Sequence, residues 1–270
     1  MKQKLLLVDA DQVFYQYTAA YQFEERFDDT VHGNAWMVEA DTYLLSDVAA
    51  ARGGIDESLT LMEKNGGYNR MILCFTSTPN FRHDRYPSYK GGRVSKRKPL
   101  GYWKLVKEYV ASDQWETRKI PGLEADDVMS ILATSPKYLA DYSVSIWSMD
   151  KDMMQVPHTL LHRDAAKEVT MTRADADAFR WSQALAGDVT DGYAGLKRYG
   201  PVKAAKALEK YLGAEEAVYY REICRLYEEA GETVEYAESQ IDCACILRYG
   251  EYNFKTKKPR LSGERYGYTR

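Results

Sequence analysis

The chain has 270 residues and a formal net charge of −3, and 45% of its residues are hydrophobic and 29% charged. These values are ordinary for a globular protein, and the length suffices for one large domain or one domain with a small appendage. No apolar run approaches the roughly 20 residues that cross a bilayer, and the first apolar run leads straight into acidic residues, unlike a signal peptide. We therefore expect a cytoplasmic protein with no membrane partner.

Three short apolar runs of strand length come next, in chain order. They are LLLVD at residues 5–9, MILCF at 71–75 and VSIWS at 144–148. Segments with helical patterning separate them, among them DTYLLSDVAAA and EADDVMSILAT. This alternation predicts an α/β fold with a central, mostly parallel twisted sheet and helices on both faces. In such a sheet, functional groups gather beyond the carboxyl ends of the strands.

Acidic residues form four clusters along the chain, and the first and third of them directly follow strand runs. In chain order they are Asp9; Glu124, Asp126 and Asp127; Asp150 and Asp152; and Asp188 and Asp191. Each cluster alone could be a helix cap or a turn. Together at one rim of a sheet, however, so many like charges cannot all stay ionised without cations. Oxygen ligands with no histidine or cysteine among them favour Mg²⁺ or Mn²⁺ over zinc, so we expect a divalent-metal site.

A basic segment lies between the second strand and the second acidic cluster. Residues 82–107 contain nine Lys or Arg and one acid, Asp84, with tyrosines and a tryptophan interleaved. A charge run by itself is often only a solvated surface. Glycines and prolines break this one, which predicts an excursion between ordered elements. Basic side chains with interleaved aromatic rings suit a grip on a single nucleic-acid strand.

The motifs VDAD, FRxxxxPSYKGGR, LEADDVM, SMDKDM and GDVTDGYAG stand in this order along the chain. In order and spacing they resemble the 5′-nuclease (flap endonuclease) family. RKPLGYW and ILRYGEYNF are further similar to stretches in the 5′-3′ exonucleases of T7-like bacteriophages. The resemblance runs from about residue 5 to about residue 255 and implies a PIN-like core. It also implies a metal-dependent 5′-3′ exonuclease and flap endonuclease of phage replication, primer removal and recombination.

The resemblance further implies roles for single residues. Asp9, Glu124 and Asp126 resemble ligands of a first metal ion, and Asp127, Asp150, Asp152, Asp188 and Asp191 resemble the acids around a second. Lys90 and Arg93 match a basic pair at the base of a helical arch, which residues 82–107 would form over a 5′ single strand. Tyr89 would stack on a base. Further DNA contacts in the arch would come from Arg82, Lys96, Arg97, Lys98 and Lys104. The implied reaction is two-metal phosphodiester hydrolysis.

The segment GYAGLKRYGPVKAAKAL, which follows Asp191, is predicted to form a helix, a glycine-rich turn and a second helix. It resembles the helix-three-turn-helix with which these nucleases hold duplex DNA, although the turn departs from the family pattern and a plain surface helix pair is the alternative. The implied DNA contacts are Gly195, Lys197, Arg198, Gly200, Lys203 and Lys206. A monovalent K⁺ site in the turn would follow from the same resemblance.

The resemblance also implies the domain organisation and the partners. Residues 1–180 would form the nuclease core, and residues 181–270 would pack on it as the helix-three-turn-helix and C-terminal helices. The expected partners are DNA 5′ ends, flaps, nicks and RNA primers, and the expected state is a monomer. A phage-encoded enzyme of this kind would act in the cytoplasm of the bacterial host.

One position departs from the family in a way that bears on chemistry. In LCFTSTPNFR, Ser77 stands where relatives in the family carry an Asp that binds the first metal directly. A hydroxyl binds Mg²⁺ more weakly than a carboxylate does. The hypothesis is therefore that this chain is impaired in hydrolysis but still binds DNA.

Two other classes of protein remain open at this point. LLLVDADQV also fits the opening motif of haloacid-dehalogenase-like phosphatases, with Asp9 as nucleophile and Asp11 as acid and base. That scheme leaves Glu124, Asp126 and Asp127 without a role and does not explain the basic segment. The second alternative is a non-catalytic protein that binds branched DNA, for which Ser77 is the argument.

Overall fold

The computed structural model describes residues 2–27, 41–93, 97–164 and 167–267. Its strands are β1 (Gln3–Asp9), β2 (Gln22–Phe27), β3 (Asp41–Ser46), β4 (Arg70–Phe75), β5 (Glu116–Lys119), β6 (Tyr142–Trp147), β7 (Leu160–Asp164), β8 (Lys167–Thr170), β9 (Tyr252–Asn253) and β10 (Lys258–Pro259). Its α-helices are α1 (Ala10–Ala20), α2 (Val48–Gly66), α3 (Arg82–Arg85), α4 (Tyr102–Ala111), α5 (Ala125–Ala133), α6 (Pro136–Asp141), α7 (Arg173–Ala186), α8 (Pro201–Leu208), α9 (Glu216–Glu229), α10 (Val234–Ala244) and α11 (Ser262–Tyr266). Short 3₁₀ turns cover Gly91–Arg93, Lys151–Gln155 and Glu209–Tyr211.

The main sheet has six strands in the order β5-β4-β1-β6-β7-β8. Only β8 runs antiparallel to its neighbour. Side chains of β1 alternate between two cores, as a strand buried on both faces requires: Leu5 and Leu7 pack with α5, and Leu6 and Val8 pack with α1, α2 and α4. The predicted α/β sheet with helices on both faces is thus confirmed.

The prediction that DTYLLSDVAAA is helical was wrong for its first half. Asp41–Ser46 is β3, which pairs antiparallel with β2, and the helix starts only at Val48. Asp47 caps it, because its side chain accepts a hydrogen bond from the N–H of Ala50 at 2.9 Å. Thr42 and Tyr43, which lie before this cap, are of residue types that favour strands. The helix therefore begins only after Asp47.

A second core lies among helices α7 to α10. Trp181, Tyr219, Tyr220 and Ile223 are fully buried there. Residue 180, the predicted end of the nuclease core, falls inside α7, so the proposed boundary divides a helix that packs within this second core. The four cysteines are free and buried. Within the described ranges, no helix is both long and apolar enough to cross a membrane.

The basic segment folds back onto the protein at both ends. Arg82 and Tyr89 are buried, and α4 packs against the sheet through Tyr102, Leu105 and Val106. The predicted arch over residues 82–107 is therefore too long. Between these buried ends, the described residues Gly91, Gly92, Arg97, Lys98 and Leu100 are exposed and Pro99 is buried, and residues 94–96 lie outside the described chain.

Candidate metal centre

The carboxyl ends of β1 and β6 meet around one serine. Asp9 ends β1 and is buried; its Oδ2 accepts a hydrogen bond from Ser148 Oγ at 3.1 Å. The backbone N–H of Asp150 donates to the same Oγ at 3.1 Å. Ser148, itself fully buried, thus ties an acid of the first cluster to an acid of the third. Sequence reasoning missed Ser148, although SMDKDM placed it just before the acids.

A small cleft of about 20 Å³ opens at this edge of the sheet, between the sheet and the helical layer. Its charged lining residues are Arg82, Lys90, Glu124, Asp126, Asp150, Asp152 and Asp191. They come from chain segments that lie far apart in sequence and meet because parallel strands end at a common edge. A cleft of this volume has room for one small ion or one water molecule.

Three carboxylates of the cluster repel one another. Burial, followed by the charges of Asp11 and Asp150, raises the pKa of Asp9 to about 7, against hydrogen bonds from Gln12 and Ser148 that lower it. Burial and the charges of Asp9, Asp150 and Glu124 raise the pKa of Asp126 well above its usual range. The pKa of Asp150 is raised as well, by burial and by Asp152. A cation among these groups would relieve the repulsion.

Lys90 places a positive charge among the acids that line the cleft. Its Nζ lies 2.5 Å from Glu124 Oε1 and 3.8 Å from Asp191 Oδ2. Burial by itself would raise the pKa of Glu124, but the charges of Lys90 and Arg82 outweigh it and lower that pKa to about 2. The backbone N–H of Lys90 donates to the carbonyl of Asp191 at 2.6 Å, which fixes the turn that aims the side chain inward.

Lys151 pairs with acids of the third and fourth clusters. Its Nζ lies 3.1 Å from Asp152 Oδ1 and 3.1 Å from Asp188 Oδ2. Gln183 of α7 also donates to Asp152, at 2.7 Å. Sequence reasoning assigned Lys151 no role, although its place between two acids in DKD was a visible signal.

The donor set fits hard divalent cations. Every candidate ligand is a carboxylate, and burial together with mutual repulsion raises the pKa of three of them. Over the described residues, no group of three Asp, Glu, His or Cys side chains is already arranged to hold an ion. The ammonium groups of Lys90 and Lys151 lie among the acids instead.

Asp127 does not face the cleft, which corrects its predicted place at the second metal. It is fully buried, and its two carboxylate oxygens accept hydrogen bonds from the guanidinium of Arg82 at 2.7 and 2.8 Å. It also accepts from the N–H groups of Glu124 and Leu247, at 3.2 and 2.9 Å. Both carboxylate oxygens of Asp127 therefore have their hydrogen-bond donors inside the protein, and Asp127 joins α5 to the chain after α10.

Arg82 and Tyr89 are buried, so they do not have the DNA contacts that were predicted for them. Arg82 is 2% exposed, because its guanidinium is held by Asp127 and by the carbonyls of Cys243 and Cys245. The ring of Tyr89 is 2% exposed and therefore cannot stack on a base. The Tyr89 hydroxyl instead donates to Glu124 at 2.9 Å, or to Asp191 at 3.2 Å.

The predicted helix-turn-helix after Asp191 has only its second helix, α8. Between Asp191 and Gly200 the chain forms turns instead of the predicted first helix, and Gly192 and Gly195 in this stretch adopt positive φ angles, which a helix does not have. Gly195 packs backbone against Gly187 and donates its N–H to Gln240 at 2.9 Å, so that group is not available to a phosphate. Gly200 is the N-cap residue of α8 and is exposed.

The remaining predicted DNA contacts have exposed side chains. They are Arg97, Lys98, Lys104, Lys197, Arg198, Lys203 and Lys206. Lys98 Nζ lies 4.5 Å from the centroid of the Tyr102 ring. The side chain of Arg93 and all of Lys96 lie outside the described residues. The roles of these residues stay predictions.

Ser77 lies next to the cleft but does not line it. Its N–H donates to the carbonyl of Leu123 at 2.8 Å. The preceding residue, Thr76, connects the same loop to the cluster: its N–H donates to Asp11 at 3.0 Å, and its Oγ1 accepts from the N–H of Ala125 at 3.1 Å. The loop after β4 is therefore anchored to both α1 and α5.

Known proteins similar in sequence to this chain include an exonuclease and a DNA polymerase. A protein-family model described as "5'-3' exonuclease, N-terminal resolvase-like domain" matches residues 4–180. An exonuclease of Escherichia phage T7 is 26% identical, over 94% of this chain and 91% of the relative. A thermostable DNA polymerase I of Thermus aquaticus is 30% identical over 58% of this chain, but over only 20% of its own length.

Solved structures share the fold. The T5 D15 protein co-crystallised with metal ions has a TM-score of 0.65 at 13% identity and covers 90% of both chains. The D15 flap endonuclease in a pseudo-enzyme-product complex with DNA and metal ions has a TM-score of 0.62 at 13% identity, over 90% of this chain and 89% of that one. With most of the chain matched by the family model, the sequence resemblance is confirmed and the chain belongs to the 5′-3′ exonuclease family.

Proposed function

We propose that this chain hydrolyses DNA phosphodiester bonds from 5′ ends and at 5′ flaps, with two divalent cations, Mg²⁺ or Mn²⁺, in the acidic cleft. Family membership gives the reaction class. The observation that carries the site is the meeting of Asp9, Asp126 and Asp150 at one edge of the sheet, where burial, and then the charges of neighbouring carboxylates, raises the pKa of each.

Roles follow from position. Asp9, Glu124 and Asp126 would hold a first cation, and Asp150, Asp152, Asp188 and Asp191 a second. When bound, such cations supply Lewis-acid activation of water and charge for both the attacking and the leaving oxygen. Lys90 would place its ammonium group beside the phosphoryl group, where negative charge develops. Ser148 would act as a positioning residue for Asp9 and Asp150.

The DNA contacts belong to the same proposal. Exposed cations of the segment around Arg97 and Lys98 would guide a single strand to the cleft, and those of α8 and the loop before it would hold the duplex. We propose a monomer that acts on nicks and RNA primers as well as flaps, in the host cytoplasm. The K⁺ site in this loop stays a prediction.

The function is tested with a 5′-labelled flap duplex, with Mg²⁺, with Mn²⁺ and with a chelator. Labelled products of the 5′ strand should appear only with metal. Hydrolysis of para-nitrophenyl phosphate without DNA cutting would instead favour a phosphatase. The structure weighs against that alternative, because Asp11 accepts hydrogen bonds from Tyr102 at 2.7 Å and from Thr76 at 3.0 Å, which leaves its carboxylate little freedom for acid-base work. Metal-independent binding without any cleavage would favour the non-catalytic DNA-binding alternative.

Replacing Ser77 by Asp should increase cleavage at limiting Mg²⁺. The added carboxylate would stand at the end of β4, the strand next to β1, and supply the negative charge that a hydroxyl lacks. The measurement is the initial cleavage rate against Mg²⁺ concentration, with the half-saturating concentration expected to fall. Ser112→Asp, at an exposed serine that follows α4, is the matched control and should change nothing. Equal rates for Ser77→Asp and the parent protein at limiting Mg²⁺ would contradict the idea that the serine weakens the first site.

Cation binding should release protons near neutral pH. Because the pKa of Asp9 is raised to about 7, a large share of the metal-free protein carries a proton on this acid at pH 6. A cation binds the ionised carboxylate, so apparent affinity should fall as pH falls from 8 to 6. Calorimetric titration with Mg²⁺ in two buffers of different ionisation enthalpy measures the protons released. An affinity independent of pH over this range, with no proton release, would be the contrary result.

A further inference from the structure

The chain carries a second cationic surface, on the hairpin of β9 and β10 and far in sequence from the basic segment. Residues 253–260 read NFKTKKPR. Lys255, Lys257, Lys258 and Arg260 are all exposed. Among the described residues, none of these four cations has an acidic partner. Phe254 at the tip is 57% exposed.

The base of the hairpin is fixed, while its tip projects. Tyr252 is buried and donates its hydroxyl to the carbonyl of Pro121 at 3.0 Å. Arg260 donates its N–H to the carbonyl of Glu251 at 2.8 Å. Within the turn, Asn253 Oδ1 accepts from the N–H groups of Lys255 and Thr256, at 2.9 and 3.2 Å. The cations are thus presented on a short, hydrogen-bonded turn rather than on a loose tail.

A groove of about 1230 Å³ lies between this hairpin and the loop after β4. One wall contains residues 77–81, and the other contains Lys257, Lys258 and Arg260. Two acids, Asp84 and Glu264, also line it, and Arg85 on its wall is already paired with Asp242 at 2.8 Å. The three hairpin cations outnumber these two acids, so the net charge of the groove is positive and comes from the hairpin.

The groove and the acidic cleft are lined by residues that are neighbours along the chain: Phe81 lines the groove and Arg82 lines the cleft. Ser77 lines the groove, and the neighbouring Thr76 is hydrogen-bonded to Asp11 and to the first residue of α5. Gly122, on the same wall, lies two residues before Glu124. A strand that leaves the cleft past the end of β4 would therefore run towards the groove.

We propose that this groove and the hairpin tip bind a single-stranded segment of the DNA substrate, by phosphate contacts from Lys257, Lys258 and Arg260 and by base stacking on Phe254. The inference rests on the proposed function for the identity of the polymer. Lysines beside an exposed aromatic ring are the elements of sequence-independent single-strand binding. The ring can stack on any base, and the lysines can follow the backbone.

The test is the double variant Lys257→Gln/Lys258→Gln, with DNA binding measured in the presence of a chelator. Affinity for a single-stranded oligonucleotide and for a 5′-flap duplex should fall several-fold. The slope of log affinity against log salt concentration should become shallower by about 1.4, at about 0.7 for each lost phosphate contact on a single strand. Affinity for a blunt duplex should stay within error. Phe254→Ala should weaken single-strand binding without changing the slope.

Lys64→Gln/Lys137→Gln is the matched control, because both lysines are exposed and lie in helices that lead into the opposite, amino edge of the sheet. An unchanged slope for the hairpin variant, or an equal change for the control pair, would overturn the inference. Binding needs no hydrolysis, so the two proposals fail separately. If the parent protein cleaves DNA and the hairpin variant binds DNA as the parent does, only the proposal for the groove is refuted. If the hairpin variant loses single-strand binding and the parent protein does not cleave DNA, only the proposed nuclease function is refuted.

Discussion

Replacing Asp126 by Asn should reduce flap cleavage by at least about a hundredfold, because a bound metal ion supplies several kcal/mol of transition-state stabilisation. Asp126 lines the cleft and is surrounded by Asp9, Asp150 and Glu124. In the metal-free protein the same change removes a buried repulsive charge, so the thermal midpoint should rise, not fall. Activity and stability are therefore expected to move in opposite directions.

Cleavage of the 5′-labelled flap duplex and thermal unfolding with a chelator measure the two effects. Asp141→Asn is the control, since this exposed acid ends α6 at the amino edge of the sheet. It should change neither quantity. A large loss of stability in Asp126→Asn would show that Asp126 stabilises the fold. Full cleavage activity would show that Asp126 does not bind a catalytic metal ion.

Replacing Arg82 by Met should destabilise the protein by about 3–5 kcal/mol, the usual consequence of removing one partner of a buried ion pair. The change leaves Asp127 fully buried with two oxygens deprived of their guanidinium donors. It also removes positive charge near Glu124, at 3.3 Å from Arg82. The free energy of unfolding is measured by urea titration.

The double variant Arg82→Met/Asp127→Asn should recover part of this loss, because neither charge then remains unpaired. Glu229→Gln is the control: it removes only the ion pair between Glu229 and Arg225, both exposed on the surface of α9, and such exposed pairs contribute about 0–1 kcal/mol. If Arg82→Met instead left stability unchanged but weakened DNA binding, the sequence-based assignment of Arg82 to the DNA surface would be right.

The sequence predicted the features that depend on local pattern. Apolar runs of strand length gave β1, β4 and β6, and acids placed directly after strands lie at the edge of the sheet as expected. The assignment failed where a partner distant in sequence decides the orientation. Asp126 and Asp127 are adjacent, but successive residues of a helix point about 100° apart, so one faces the cleft and the other the core.

The partner that decides this orientation is not visible in the sequence. Arg82 is 45 positions before Asp127, and Leu247 is 120 positions after it. In the same way, nothing near Tyr89 in the sequence indicates that its ring packs on Tyr193, with 6.5 Å between the ring centroids. The short strand β3 was missed because its pairing with β2 outweighs the helical periodicity of the residues that follow.

The positions of Lys90 and Lys151 bear on how the protein acquires its cations. Each ammonium group lies between carboxylates of two different segments, so the cluster is partly neutralised by the polypeptide itself. Folding then does not have to wait for metal, unlike in small domains that are unfolded without their ion. Metal loading becomes an exchange of one cation for another. A lysine released by that exchange no longer pairs with a carboxylate. Its ammonium group then lies close to where a phosphate would bind.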